Sequence, residues 1–231
     1  SIYYYLHFQY NGWFFFACMG LAFGFLNLKK SEHSFYETSF KLFAIACVPA
    51  YFLSTLWLDL PLRIYIFTVI AALVQVYAWF KFLPILLKTR KNVLESYSPL
   101  LRYILVFVSF ALSIKLLLQL GSTVPIISQL AFGFRPIVIA YLHLILLAVI
   151  SLFLLFYVFA THLIPLSKAI KTGLITFAVG VFLNEFILGM EGLSFFSEGF
   201  IPYISKMLFG AAVILVLGMG ITAFGALKVQ K

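Results

Sequence analysis

Residues 137–163 read IVIAYLHLILLAVISLFLLFYVFATHL, with no Asp, Glu, Lys or Arg among them. A helix rises 1.5 Å per residue, and about 20 apolar residues cross the hydrocarbon core of a bilayer. This stretch is long enough to cross. Its residues are apolar on every side of a helix. A surface helix keeps its apolar residues to one stripe, and a barrel strand alternates them. The stretch therefore reads as a transmembrane helix.

Six further runs follow the same pattern: 2–28, 40–58, 62–87, 100–120, 174–193 and 207–227. The whole composition agrees. Of 231 residues, 64% are hydrophobic, 19% aromatic and only 10% charged, and the mean hydropathy is +1.11. A soluble domain carries roughly 25% charged residues, so this chain cannot cover a surface facing water. A secreted disulfide scaffold, a disordered protein and a cytosolic enzyme are excluded. The fold class expected is all-α, one polytopic bundle of seven transmembrane helices over residues 1–231.

Breaks between the runs are chemically legible. Pro61 in Asp59-Leu60-Pro61 and Pro99 after Ser98 stand at helix starts. Pro49 and Pro84 fall within helical stretches and predict kinks. Residues 121–136 are half apolar and too short to span, which predicts an interfacial loop or a short helix on the membrane; 194–202 is similar. No repeat stands out. The chain opens on Ser1-Ile2-Tyr3 without Met, so it reads as a piece of a longer protein.

The net charge of +9 could suggest nucleic acid, but its distribution speaks for the membrane. Three alternate loops and the tail hold Lys29, Lys30, Lys41, Lys81, Lys88, Arg90, Lys91, Arg102, Lys168, Lys171, Lys228 and Lys231, twelve in all. The other loops hold Arg63, Arg135 and Lys206. Basic residues collect in cytoplasmic loops. The expected orientation puts Ser1 outside and Lys231 in the cytoplasm, with the lipid bilayer as partner and no nucleic acid.

Polar groups inside a membrane are costly and mark functional sites. The candidates are His7, Gln9, Asn11, Gln75, Lys115, Gln119, His143, Asn184, Glu185 and Glu191. In the expected topology all but Gln75 lie in the outer part of the bilayer. Tyr10 and Tyr141 each sit within three residues of an intramembrane His. Lys115 could snorkel to the interface, or pair with Glu185. Cys18 and Cys47 read as packed thiols rather than a disulfide or a metal pair. There is no P-loop, dinucleotide fingerprint, Cys-x-x-Cys or His-Glu-x-x-His. Gly218-Met219-Gly220 and Gly189-x-x-Gly192 read as close helix packing. No catalytic residue is assigned, and whether the protein is an enzyme stays open.

Residues 6–14 (LHFQYNGWF), 135–147 (RPIVIAYLHLILL) and Asn184-Glu185 resemble a family of multi-helix membrane proteins found mainly in Bacteroidetes. That family is distantly similar to the large subunit of haem-copper oxidases and nitric oxide reductases, where a late helix carries His-x-His. Here Tyr141 stands at the first of those positions and only His143 is retained. The resemblance implies a bacterial inner-membrane protein, and a C-terminal half of a parent with about twelve helices. An N-terminal half or other membrane subunits would be partners. It implies haem b or copper near the outer face, with His7 and His143 as metal ligands and Tyr10 and Tyr141 beside them. Lys115, Gln119, Asn184 and Glu185 would surround the group or line an ion pathway. A binuclear centre would lack a ligand; a single haem or a copper could survive that loss. The rival readings are a small-solute or ion transporter or channel, and a non-catalytic structural subunit.

Overall fold

The structure is a computed structural model that describes residues 2–26, 30–93, 97–196 and 201–229. Among the described residues it is all-helical. Eight helices follow in chain order. α1 covers residues 2–26, α2 is Lys30–Cys47, and α3 is Leu62–Val93. α4 is Pro99–Gly121, α5 Pro125–Gly133, α6 Arg135–Ala160, α7 Lys168–Phe196 and α8 Ile204–Val229. A 3₁₀ segment, Pro49–Thr55, continues α2.

Among the described residues, five helices are long and apolar enough to cross a membrane: α3, α4, α6, α7 and α8. A sixth crossing is made if α2 and its 3₁₀ extension form one bent span. The sequence led to seven. The difference lies in α1, which is helical as expected but carries His7, Gln9, Asn11 and Gly12 in its first half. Those residues keep α1 out of the set of apolar spans. The polytopic helical bundle stands.

Proline acts differently at its two sites. At Pro49 the missing N–H ends α2, and the chain turns by 48° into the 3₁₀ segment. Pro84 lies inside α3, which stays helical to Val93, though its apolar span stops at Pro84. The kink expected at Pro49 is present. Pro99 opens α4, where Ser98 O accepts from Leu101 and Arg102 N–H. The short helix expected within 121–136 is α5. Residues 197–200, part of the similar stretch 194–202, lie outside the described residues.

The chain divides into two compact units. Unit 1 comprises residues up to Tyr97 together with Leu112–Gly133; unit 2 comprises Ser98–Ala111 and the chain from Phe134 onward. α4 gives its first part to unit 2 and its second to unit 1.

In unit 1, small side chains let helices approach. Ala46, Ala50, Ala71 and Ala72 pack with Leu53 into one buried cluster across α2, the 3₁₀ segment and α3. Two bonds link α3 to the second part of α4 and the turn that follows it. Tyr65 Oη donates to Thr123 O at 2.8 Å, and Trp79 Nε1 donates to Ser113 Oγ at 2.8 Å.

In unit 2, α7 and α8 form a close antiparallel pair along glycines. A Cβ on Gly218 would stand 2.7 Å from Phe177 Cα, and one on Gly225 would stand 2.9 Å from Ile170 Cγ1. Gly173 and Gly180 on α7 are pressed in the same way by Thr222 and Leu215. The seam thus uses glycines seven apart on each helix, the spacing that keeps a left-handed pair in register. Gly218 fits the packing role read from the sequence. Gly220 and Gly189 do not, because nothing lies within 4 Å of a Cβ on either.

Candidate functional site

Each unit holds a histidine at a π-helical segment. In α1 the π segment is His7–Phe14; in α6 it is Leu144–Ser151, directly after His143. A π turn shifts backbone bonding from i−4 to i−5, and such turns recur at functional sites. Ser151 illustrates the shift, since its hydroxyl donates to Leu146 O at 2.7 Å, five residues back.

In unit 1, His7 is buried and Nε2 donates to Cys47 O at 2.9 Å. That carbonyl is available because the helix ends there. Tyr51 N–H, which an α-helix would aim at Cys47 O, bonds Val48 O in the 3₁₀ segment instead. The second ring nitrogen, Nδ1, accepts from the Asn11 amide at 3.3 Å. The Cys47 thiol leans on Asn11 O at 3.8 Å. Tyr51 closes the group, with its ring 5.9 Å from that of His7 and 5.7 Å from that of Tyr4. Tyr10, one residue before Asn11, is buried.

Lys115 belongs to the same surroundings. It is 4% exposed, so it does not snorkel to an interface. Its ammonium lies 6.0 Å from the Phe15 ring centroid. One turn on, Gln119 is buried with Oε1 unpartnered; Gln75 on α3 is buried in the same condition.

In unit 2, Asn184 of α7 is buried and reaches two ionisable groups at once. Nδ2 lies 3.3 Å from His143 Nδ1 on α6 and 3.3 Å from Glu185 Oε1 beside it. α6 and α7 run antiparallel through this contact, with Gly192 against Ile137 nearer one end. Tyr141 is half-buried two residues before His143.

The structure thus brings His7 together with Lys115, and His143 together with Asn184 and Glu185. Lys115 and Glu185, a possible pair in the sequence, fall in different units. Asn11, one of the polar candidates in the sequence, belongs to the first group with Cys47, Phe15 and Tyr51, which the sequence did not single out as site residues. Asn11 was visible as a polar group four residues from His7. The part played by the Cys47 carbonyl depends on the helix break and has no signal in the side-chain pattern.

For haem or copper the donor atoms are the test. Among the described residues no three His, Cys, Asp or Glu side chains gather. In both histidines Nδ1 is taken by an Asn amide, and in His7 Nε2 is bonded as well. As arranged, His7 has both ring nitrogens bonded to protein groups, whereas His143 is bonded through Nδ1. Cys18 and Cys47 are both free thiols. Comparison with protein-family models, curated proteins and solved structures finds no match.

Proposed function

We propose that this multi-pass membrane protein is a proton-linked transporter or channel, with His143, Asn184 and Glu185 as its proton-binding group. The observation that carries this reading is the single Asn184 amide atom shared by an imidazole and a carboxyl group. With NH₂ at that position, His143 Nδ1 and Glu185 must both accept. With the amide turned and its oxygen there, both must donate: Glu185 as a carboxylic acid, His143 through Nδ1–H. Asn184 thus links the two protonation states. Chains of Glu and His within membranes are the usual material of proton relays. Around the group, α8 carries no titratable side chain between Lys206 and Lys228. Arg135, Tyr141 and Tyr157 on α6 and Lys168, Lys171 and Glu191 on α7 are the other titratable groups of those helices. Arg102 and Tyr103 are those of α4 within this unit.

The test is spectroscopic and needs no substrate. Protein in lipid nanodiscs is titrated by infrared spectroscopy, with ¹⁵N-labelled histidine followed by NMR. The carboxylic-acid band of Glu185, identified by its loss in Glu185→Gln, should appear at the pH where His143 changes tautomer or charge. Asn184→Leu should separate the two events. Independent titration in the wild type ends this reading.

The seven-span topology, with the N-terminus outside and the inner membrane as its location, belongs to the same proposal. It is supported by the twelve-to-three charge split.

Haem or copper is the second reading, favoured by one bond. Nε2–H of His7 on a backbone carbonyl is the kind of contact that orients ligating imidazoles. It requires Asn11 to turn away from His7, while His143 can offer Nε2 with Nδ1 still held by Asn184. Absence of both a Soret band and copper in the purified full-length protein removes it.

A further inference from the structure

We propose that the open space beside Glu185 on α7 binds a hydrophobic organic monocation, a quaternary ammonium or a lipophilic amine, in exchange for the carboxyl proton. This inference rests on the reading of Glu185 as a proton-binding group and names what takes the place of the proton.

Glu185 stands inside the apolar span yet reaches the outside of the chain. The span of α7 ends at Ser194, and at 1.5 Å per residue Glu185 lies roughly 14 Å from that end. Asn184 is buried, whereas Glu185 beside it is only partly so. An ionised carboxyl group open to lipid is costly, so it is either neutral or paired. Its hydrogen bond goes to Asn184. Among the described residues no Lys or Arg forms an ion pair with it.

Space is left next to this carboxyl group. Gly189 is one turn on and shares its face. Helical side chains lean back toward the N-terminus, so a side chain at 189 would lie over the Glu185–Phe186 turn. None is there: Gly189 is exposed, and nothing stands within 4 Å of a Cβ at that position. The opening is local, since a Cβ on Gly192 would meet Ile137 of α6 at 3.4 Å. With 3.6 residues per turn, Glu185 and Gly189 fall between Gly192, which α6 covers, and the outward Phe182 and Phe186. Those two rings stack with centroids 6.0 Å apart, and each residue is 53% exposed.

The chemistry selects the ligand. A carboxylate takes a cation and rejects an anion. Exposed rings attract a cation through their faces and its apolar substituents through their area. A bare metal ion is served less well, because no three His, Cys, Asp or Glu side chains gather among the described residues. The exchange balances: the carboxylic acid gives its proton to water, and the arriving cation meets the carboxylate left behind. Asn184 then presents its NH₂ to Glu185 and to His143 Nδ1, both as acceptors. His143 and Tyr141 on α6 and Glu191 on α7 are the nearest other titratable groups along those helices, and α8 has none between Lys206 and Lys228.

Tetraphenylphosphonium is the probe; tetraphenylborate, of the same shape and opposite charge, is the control. Binding is measured by equilibrium dialysis against nanodiscs with and without the protein, and proton release by a pH indicator in weak buffer. Tetraphenylphosphonium should bind saturably above the protein-free level and release protons in proportion to its binding. Glu185→Gln should weaken that binding at least tenfold and abolish the release. Gly189→Leu fills the open space without meeting a neighbour, so it should fold and should weaken binding at least tenfold. Phe182→Ala should weaken it severalfold. Equal saturable binding of tetraphenylborate overturns the proposal, as does binding that Gly189→Leu leaves unchanged. Coupled titration of Glu185 and His143 without saturable binding of tetraphenylphosphonium overturns this inference alone and leaves the proton-binding group standing. Saturable, Glu185-dependent binding with independent titration supports the cation site and ends the link through Asn184.

Discussion

A histidine with both nitrogens bonded to protein behaves as a structural tie. His7 joins α1 to the broken end of α2 by satisfying the Cys47 carbonyl that the 3₁₀ turn leaves open. In a membrane interior no water replaces a lost donor. His7→Phe should therefore lower stability by about 1–3 kcal/mol, the cost of an orphaned buried acceptor. His7→Gln, which can still donate, should lose less. Thermal unfolding in detergent distinguishes the two, and equal losses would show that ring packing rather than the bond matters. Trp79→Phe removes the bond to Ser113 and should cost about 1 kcal/mol by the same measurement.

Helices in lipid gain nothing from burying apolar surface against each other, so small residues decide how close they come. The α7–α8 pair is the clear case. At Gly218 a methyl group meets the Phe177 backbone, which cannot swing aside. Gly218→Ala should push the helices apart and cost roughly 1–3 kcal/mol, as overpacking does. Gly220→Ala, with nothing within 4 Å, should be neutral or stabilising by up to about 1 kcal/mol, since Ala is the better helix former. Comparable losses at both positions would rule out the seam as drawn. Elsewhere on α8, Phe209, Val216, Phe224 and Leu227 are exposed. Of its apolar window, 17% is buried, against 39–44% for the other spans. This is the helix most open to lipid.

At the scale of the whole molecule, the described residues include five or six helices able to span a membrane, and two polar groups, one per unit. If the proton-binding group drives transport, Glu185→Gln should slow proton entry into proteoliposomes at least tenfold under an imposed pH gradient. Wild-type rates equal to those of protein-free vesicles would end the transport reading. A fluorescent protein fused after Lys231 should report a cytoplasmic C-terminus, which the charge split requires.

Sequence alone determined the class of the molecule, the breaks and most of the polar candidates. Apolar length, proline position and the rarity of charge each act locally, so they can be read along one chain. The missed features are all relations between distant residues. Cys47 matters through its carbonyl, freed by a bend and met by a ring 40 positions away. Asn184 matters because one amide atom meets groups on two helices. Gly173, Gly180 and Gly225 matter because another backbone lies against them, whereas Gly220 and Gly189, equally suggestive in sequence, face nothing. Lys115 and Glu185 looked like natural partners by depth and charge, yet they fall in different units. Depth follows from hydropathy, whereas the direction each polar side chain takes around its helix axis depends on how the helices pack. Only the tertiary structure decided that.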